Sequence, residues 1–296
     1  MNNNNELTIL AEDILDEASD IAMTVLGYAQ KFRIQLGWHY LLDLTWILCK
    51  LKGLSVPSRI MDAGAGNGLL QFILAAAGHC VVSVDAFQRT APQEAGACIQ
   101  IRYSSAPSLK DTSYMAHQNV AHRAVDKALP RRSEIRTGEI EYHCANLDEL
   151  SLLDSSEFDA VVSVSALEHN SPDNIPLIMS ELRRTAKDGA PMLLTISTSA
   201  EGGIHRPSHS WLLTEKEIVA AYGIPEGYQT NFDDMPLLAA KLVASPRLRR
   251  WLPSFYYMGG ANGMPWGVWA PQYLPVGLAI CNARPFSGTC RRPPAA

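Results

Sequence analysis

Three glycines between two carboxylates are the first candidate for a ligand-binding site in this sequence. Gly64, Gly66 and Gly68 follow Asp62 closely, and Asp85 ends the next apolar run. A chain that leaves a buried strand and enters a helix must turn sharply, and glycine lets a ligand lie against its backbone. Asp62 favours a ligand with an ammonium or hydroxyl group there, because a carboxylate would repel a pyrophosphate. Asp85 is placed to accept hydrogen bonds from two ribose hydroxyls.

The spacing of the glycines argues against a nicotinamide dinucleotide. Leu69 stands where the third glycine of the fingerprint Gly-x-Gly-x-x-Gly would fall. The alternative to a ligand site is a glycine-rich turn that serves only the packing of the helix on the strand.

The pattern Asp62-x-Gly64-x-Gly66-x-Gly68 followed by Asp85 resembles the S-adenosylmethionine (SAM) site of class I methyltransferases. In that family the glycine turn lies along the methionine and ribose part of the cofactor. The resemblance implies that SAM is the cofactor of this chain. It also implies that the following residues belong to this part of the site: Asp62, Ala63, Gly64, Gly66, Gly68, Asp85 and Ala86.

A second part of the cofactor site is expected after the strand predicted at 139–145. In the resembling family a short polar residue followed by a hydrophobic one holds the adenine there, as Asn146 and Leu147 would in this chain. The usual residue is Asp, so Asn146 departs from the pattern, but its amide oxygen can still accept a hydrogen bond from the exocyclic amine. The alternative is that Asn146 is a plain N-cap of the next helix.

A near-continuous apolar run at 158–164 is typical of a central parallel strand that is buried on both faces. Glu168 and His169 follow its carboxyl end, where open α/β sheets bind their ligands. A helix and a further strand are predicted downstream, as far as residue 197. The order of strand, Glu168-His169, helix and strand is similar to the second half of the small-molecule methyltransferases that include quinone-modifying enzymes. The resemblance implies that Ser163, near the end of the run, contacts the cofactor.

Three histidines are the candidate catalytic residues. His169 is the first candidate for a general base or for orienting the substrate, because imidazole titrates near neutral pH and His169 follows the central strand. His205 and His209 rank next on position alone, in a polar loop after a strand. The alternative is that Glu168 and His169 only anchor their loop, and Glu168 could also orient a histidine.

The predicted fold class is α/β, a doubly wound, Rossmann-like, mostly parallel seven-stranded sheet with helices on both faces. Helical spacing of apolar residues over 6–35 and again over 38–51 predicts an N-terminal helical cap. An insertion without a strong strand is expected between the second and third strands. The predicted divisions are a cap at 1–53, a methyltransferase domain at 54–283, an insertion at 88–138, a possible lid at 199–273 and a tail at 284–296.

Aromatic residues concentrate at 251–273, together with Gly and Pro. This segment could pack as a lid over an apolar substrate or form a local core beneath a long loop. In the resembling family such N-terminal caps often lie over the substrate mouth, and Trp38, His39 and Tyr40 are the cap residues that would then approach a substrate. The alternative is a helix pair that only covers the edge of the sheet.

Composition excludes several function classes. At 296 residues, 47% hydrophobic and 19% charged, the chain can bury a sizeable core without disulfides or metal. The six cysteines are scattered without metal-ligand spacing, which fits a reducing cytoplasm, and neither a secretory signal nor a membrane span is expected. The net charge of −5 makes a nucleic-acid partner unfavourable despite basic clusters at 131–136 and 247–250.

The sequence therefore predicts a SAM-dependent methyltransferase that transfers a methyl group to oxygen or nitrogen of a small molecule by in-line displacement. A nucleic-acid (RNA) methyltransferase is an alternative, but residues 163–166 lack the Asn/Asp-Pro-Pro-aromatic signature for base amines. A catalytically silent SAM-binding scaffold is a second alternative, and a nicotinamide dehydrogenase a third. The identity of the methyl acceptor and the oligomeric state are left open.

Overall fold

The computed structural model describes residues 5–87, 89, 91–96, 99–104, 138–252, 263–265 and 267–282. Within the insertion the sequence predicts a weak helix near 113–129. This helix, the basic cluster at 131–136 and the tail at 284–296 lie outside the described ranges. So does the greater part of the aromatic segment between 253 and 266.

Strands and helices alternate along most of the described chain. The strands are β1 (Glu6–Ile9), β2 (Arg59–Ala63), β3 (Cys80–Asp85), β4 (Gln100–Tyr103), β5 (Glu139–Cys144), β6 (Ala160–Val164), β7 (Pro191–Thr198), β8 (Gly203–His205), β9 (Ser210–Leu212), β10 (Gln229–Thr230) and β11 (Leu274–Cys281). The helices are α1 (Ile14–Glu17), α2 (Ser19–Phe32), α3 (Tyr40–Lys50), α4 (Leu70–Ala76), α5 (Gln93–Gly96), α6 (Ile175–Thr185), α7 (Glu215–Tyr222), α8 (Met235–Ala244) and α9 (Pro246–Trp251). Short 3₁₀ turns lie at Leu167–His169 and Phe232–Asp234.

Nine of these strands form one sheet in the order β10-β1-β11-β7-β6-β2-β3-β5-β4. The pairings from β7 to β4 are all parallel, and β11 runs antiparallel to both of its neighbours. The mostly parallel α/β sheet is as predicted. The strand number is not, because the described sheet has nine strands where the sequence pattern predicted seven.

The sheet is wound in two directions from its centre. The connection from β2 through α4 to β3 moves toward one edge, and the connection from β6 through α6 to β7 moves toward the other. Because such parallel crossovers are right-handed, opposite directions place the two helices on opposite faces. The direction reverses between β2 and β6, and a crevice opens there at the carboxyl ends of the strands.

The N-terminal segment differs from its prediction. Residues 6–9 were expected to begin a helix, but they form β1, which pairs antiparallel with β11 and alternates between buried and half-buried side chains. Asn231 holds this strand from the side, accepting from the Ile9 N–H at 2.8 Å and donating to the Ile9 carbonyl at 3.1 Å. The predicted helical cap at 1–53 is therefore partly built into the central sheet.

The predicted insertion also contains a strand that the sequence pattern did not indicate. β4 lies within 88–138 and pairs parallel with β5 at the edge of the sheet. Its side chains are half-buried or exposed, so it lacks the apolar signature by which buried strands are recognised. None of the helices in the described ranges has the length and apolarity needed to cross a membrane.

A glycine in β11 lets α3 pack closely on the sheet. A Cβ atom at Gly277 would lie 2.6 Å from Cε2 of the buried Trp46 ring in α3.

We expect Gly277→Ala to lower the free energy of unfolding by about 1–3 kcal/mol, because the ring and the helix backbone must shift together. Thermal unfolding measures this, and Gly27→Ala in α2 is the matched control. No atom lies within 4 Å of a Cβ built at Gly27, so that variant should be as stable as the parent or slightly more so. Equal melting temperatures for the two variants would contradict the close packing.

Candidate functional site

The glycine turn after β2 is shaped by backbone conformation and by a close neighbour. Gly64 and Gly66 have φ values of 71° and 53°, in the left-handed region that favours glycine. The N–H groups of Gly64 and Ala65 both donate to the Val84 carbonyl of β3, at 2.8 and 3.1 Å. A Cβ atom at Gly64 would lie 2.5 Å from the Cβ atom of Ala166, so the turn lies directly against the chain that leaves β6.

A buried glutamine, Gln71, fixes this turn from below, and the sequence analysis missed it. Its side-chain amide donates to the carbonyl of Gly68 at 3.1 Å and, more weakly, to that of Gly66 at 3.4 Å. Its amide oxygen accepts from the Ser83 hydroxyl of β3 at 2.9 Å. The available signal was a single amide side chain within the otherwise apolar helix α4.

Asp62, the last polar side chain of β2, is 2% exposed. Burial, and to a lesser extent the neighbouring Asp85 carboxylate, raises the pKa of the Asp62 carboxyl to about 7. No hydrogen bond to its side chain comes from the residues that the structure describes. A buried carboxylate without a donor is energetically unfavourable, so this position favours a ligand that brings a cation or a hydroxyl group.

Asp85 accepts hydrogen bonds from three donors of the described chain. Its Oδ2 accepts from the Gly66 N–H at 2.8 Å, and its Oδ1 accepts from the Phe87 N–H at 2.9 Å. The Arg89 guanidinium also donates to Oδ1 at 2.9 Å, a contact that the sequence analysis did not anticipate. An ionised carboxylate has about four acceptor positions, so one remains for a further donor while Arg89 stays in place.

Asn146 and Leu147 lie in a turn after β5. The helix predicted to begin at Asn146 is not formed there, so Asn146 is not a helix N-cap. The Asn146 carbonyl accepts from the Glu149 N–H at 3.2 Å, and the side chain of Asn146 is exposed. This leaves its amide free for a ligand from the crevice.

A pocket of about 920 Å³ occupies the crevice at the switch point between β2 and β6. Ten of the residues predicted for the site line it: Asp62, Gly64, Gly66, Gly68, Asp85, Ala86, Asn146, Leu147, His169 and His209. Three do not line it, namely Ala63, Ser163 and His205. The Ser163 hydroxyl donates to the Ala63 carbonyl at 2.7 Å inside the sheet, so these two residues support the pocket from behind.

The other end of the pocket is bordered by a hairpin and the 3₁₀ turn after β6. Ser208 and His209 lie in the turn of the β8–β9 hairpin and line the pocket. His169 Nδ1 lies 3.3 Å from the His209 carbonyl, to which it can only donate. That contact leaves Nε2 as the nitrogen with a free lone pair. The two histidines predicted there are therefore neighbours in the structure.

His205 is buried next to this end of the pocket rather than in it. Its Nδ1 lies 2.6 Å from the Ser208 hydroxyl, which lies 2.7 Å from that of Ser210. Nε2 has no partner among the described residues. Burial lowers the pKa of the His205 imidazole, so it favours the neutral form. Its hydrogen bond to Ser208 connects it to the pocket.

The described aromatic residues of the C-terminal segment belong to the core. Tyr273 is buried and accepts from the Trp38 indole N–H at 3.0 Å, and its ring contacts that of His205 edge-on. Trp269 is also buried and donates to the Leu242 carbonyl at 3.2 Å. Of the cap residues, Trp38 is fully buried and Tyr40 lines the pocket. Of the two alternatives for this segment, the described part is a local core.

A family model described as a methyltransferase domain matches residues 95–194 of this chain. The match begins after the glycine turn and runs through β4, β5, β6 and the first half of β7. It includes Asn146, the 3₁₀ turn and Ser165. Comparison with curated proteins gives no significant match.

Among solved structures, a SAM-dependent methyltransferase from Methanosarcina mazei is 20% identical over 61% of this chain and 83% of its own, with a TM-score of 0.39. Phosphoethanolamine N-methyltransferase 2 of Haemonchus contortus, in complex with SAM, is 17% identical over 92% of this chain and 60% of its own, with a TM-score of 0.42. The cyclase SpnF is 14% identical over 95% of this chain and 99% of its own, with a TM-score of 0.46. At such identities and scores, none of these likenesses bears on what this chain binds.

The raised pKa of Asp62 makes stability depend on pH. The pKa is about 7 in the folded protein against 3.8 for the free side chain, so the folded state binds more protons between these values. Stability therefore falls as pH rises from about 4 to about 7. We expect Asp62→Asn to raise the melting temperature at pH 8, by the equivalent of at most about 4 kcal/mol, and to change it little at pH 4.

Thermal unfolding across this pH range measures the effect, and Asp85→Asn is its matched control. Asn at position 85 accepts hydrogen bonds less well from Gly66, Phe87 and Arg89, so that variant should be less stable than the parent. A lower melting temperature for Asp62→Asn at pH 8 would contradict the burial argument.

Proposed function

We propose that this protein is a SAM-dependent methyltransferase of the class I superfamily and that it transfers the methyl group of SAM to oxygen or nitrogen of a small-molecule acceptor. The methyltransferase domain and the doubly wound sheet are the premise. The observation that carries the proposal is the buried carboxyl of Asp62. It lies beside the glycine turn and has no donor among the described residues.

The cofactor end of the pocket fits SAM group by group. Asp62 would receive the ammonium group of the methionine part, which would supply the missing cation and lower the pKa of this carboxyl. The Asn146 amide oxygen would accept from the adenine amine, and the Leu147 N–H would face a ring nitrogen. When bound, SAM supplies an electrophilic methyl group on a sulfonium.

Asp85 would hold the ribose hydroxyls. Three of its acceptor positions are used by Gly66, Phe87 and Arg89, so accepting from two hydroxyls requires the Arg89 guanidinium to move aside. Arg89 also lines the pocket. Arg89 and the ribose would therefore compete for one carboxylate oxygen.

The acceptor end of the pocket would hold the nucleophile in line with the methyl carbon. Orientation of this kind can contribute about 7–11 kcal/mol to lowering the barrier. The His169 Nε2 and the hydroxyls of Ser165, Ser208 and Tyr40 are the polar groups that could position an acceptor there. A volume of about 920 Å³ lies at the upper end of the range for ligand pockets, which suits a cofactor together with a small acceptor.

A small-molecule acceptor is also favoured by charge. Arg89 is the sole Lys or Arg that lines the pocket within the described chain, whereas Asp62, Asp85 and Asp148 are acidic. A phosphate backbone would be repelled by such a lining. Among the described cysteines, Cys49, Cys80 and Cys144 are free thiols, which suits a cytoplasmic protein.

The test combines binding with transfer of label. We expect S-adenosylhomocysteine to bind in calorimetry and to raise the melting temperature more than NAD does. Asp62→Asn should weaken that binding by at least about tenfold, the loss of one charge-assisted hydrogen bond. Methyl-labelled SAM incubated with a small-metabolite extract should give labelled small molecules.

Each alternative has its own outcome in this experiment. Binding without transfer to any acceptor would favour the silent scaffold, and transfer to RNA but not to metabolites would favour the nucleic-acid enzyme. A larger thermal shift with NAD would overturn the cofactor assignment. Equal affinity of the parent and Asp62→Asn would remove Asp62 from the cofactor site.

A further inference from the structure

Glu168 is a buried carboxyl group that the proposed function does not use. It follows β6 in the 3₁₀ turn and is 1% exposed. Its Oε1 accepts from the Ser165 hydroxyl at 2.6 Å and, more weakly, from the Ser197 hydroxyl at 3.3 Å. Its Oε2 has no partner among the described residues. A buried carboxylate oxygen without a donor requires an explanation.

Ser165 stands between Glu168 and the pocket. It lines the pocket, whereas Glu168 does not. Its φ of 47° is left-handed, which is uncommon for serine. Its backbone N–H is fixed by the carbonyl of Thr195 at 2.9 Å. Ser165 adjoins Ala166, the residue that lies against Gly64, so it is next to the turn that would hold the methionine end of the cofactor.

The groups that face Glu168 come from several elements. Burial raises the pKa of its carboxyl, while His169, the Ser165 hydroxyl and His39 act in the opposite direction. His39 is paired with Asp43 at 2.6 Å in α3. The buried Tyr222 in α7 is also close enough for the Glu168 charge to raise the pKa of its hydroxyl. Glu168 therefore has a higher proton affinity than an exposed carboxylate, yet two hydroxyls and two histidines still favour its ionised form.

We propose that Glu168 accepts the proton of the methyl acceptor through the Ser165 hydroxyl, and that the acceptor is therefore a neutral alcohol or phenol. This inference rests on the proposed function. A serine hydroxyl has one donor and two acceptor positions, so Ser165 can accept from the substrate while it donates to Glu168. Glu168 acts through Ser165 and is a positioning and proton-holding residue.

The step balances in atoms and charge. The acceptor oxygen forms a bond to the methyl carbon as the carbon–sulfur bond breaks, and that electron pair stays on sulfur. The acceptor proton passes to Ser165 Oγ, while the proton of Ser165 passes to Glu168 Oε1. The products are a methyl ether, S-adenosylhomocysteine and a protonated Glu168, which then loses its proton to water.

The hydroxyl class follows from what a base is needed for. A thiolate or a free amine reacts without losing a proton first, whereas a neutral hydroxyl is a weak nucleophile until its proton is taken. The acidic residues Asp62, Asp85 and Asp148 lie toward the cofactor end, so the groups that would meet the acceptor are serines and histidines. A protonated amine would find no carboxylate of the described residues in direct contact there.

A second serine, Ser208, is also backed by a buried base, His205. Ser208 already has two partners, His205 and Ser210, which use its donor position and one acceptor position. It lies on the hairpin rather than beside the glycine turn. Ser165 therefore offers the more direct route from a methyl group held at that turn.

Four variants separate the roles, measured against a panel of aliphatic alcohols, phenols, amines and thiols with methyl-labelled SAM. Glu168→Gln and Ser165→Ala should each lower kcat for hydroxyl acceptors by about 10²–10⁴-fold. In the parent, kcat/KM should fall as pH falls through the pKa of Glu168. This decrease of kcat/KM at low pH is the acid limb of the pH profile, and both variants should lose it. A phenol already ionised at the assay pH should recover most of the lost rate, because it has no proton to give.

Ser197→Ala is the matched control, because Ser197 donates to the same carboxylate oxygen but does not line the pocket. It should keep the activity at high pH and move the acid limb slightly upward. His169→Gln should keep the acid limb and move it to higher pH, because His169 lowers the pKa of Glu168 in the parent. An acid limb that disappears in His169→Gln but persists in Glu168→Gln would overturn the inference.

A readout independent of turnover follows the carboxyl group itself. In infrared difference spectra between low and high pH, the carbonyl stretch of a protonated buried carboxyl should be lost in Glu168→Gln and shifted in Ser165→Ala. Binding of S-adenosylhomocysteine should be unchanged in both variants, which also shows that they fold. Unchanged spectra in both would overturn the assignment.

The outcomes distinguish a failure of the proposed function from a failure of the inference about Glu168. A parent protein that binds S-adenosylhomocysteine but labels nothing contradicts the proposed function. A parent that labels only amines or thiols leaves the proposed function intact and overturns the hydroxyl inference. Hydroxyl labelling that Glu168→Gln and Ser165→Ala leave at the parental rate overturns the proton route alone.

Discussion

The close approach of the chain ends that leave β2 and β6 is the constraint on which the site depends. A Cβ atom at Gly64 would lie 2.5 Å from that of Ala166, so only glycine fits at this point. Because the direction of the crossovers reverses between these two strands, the contact sets the width of the crevice. The glycine turn forms one wall and Ser165 begins the other. Any widening here would separate the cofactor end of the pocket from its acceptor end.

The elements that the sequence predicted well are those whose signals are local. β2, the glycine turn, β6 and α6 each combine an apolar run with turn or helix formers, and these patterns do not depend on distant residues. β1 was read as helix, because its four residues gain their strand conformation from β11 and from Asn231, more than 200 residues away in sequence. A short strand of this kind is specified by its partners.

The same distinction applies to the site. Asp62 and Asp85 were predicted from their spacing around the glycines, and both line the pocket. The roles of Gln71 and Arg89 could not be read from spacing, because each depends on which atoms the fold brings within hydrogen-bond distance. For His205, the sequence could not distinguish a residue inside the pocket from one buried beside it. The type and order of residues can be read directly from the sequence, whereas the burial of a residue depends on how the whole chain packs.

Carboxyl groups that are buried near the crevice lower the stability of the folded protein when they are ionised. Their presence therefore needs a reason other than folding. Burial raises the pKa of Asp62, Asp43 and Glu168, so each is costly to keep ionised in the folded state. Asp43 is paired with His39 at Oδ2, has no partner at Oδ1 among the described residues and does not line the pocket. Asp62 lines the pocket and has no donor, and Glu168, which lies behind Ser165, lacks one at Oε2 among the described residues. A fold under selection for stability alone would place apolar side chains at such positions. A ligand that brings a cation or a proton supplies what these two groups lack, which argues that they serve binding and proton transfer rather than folding.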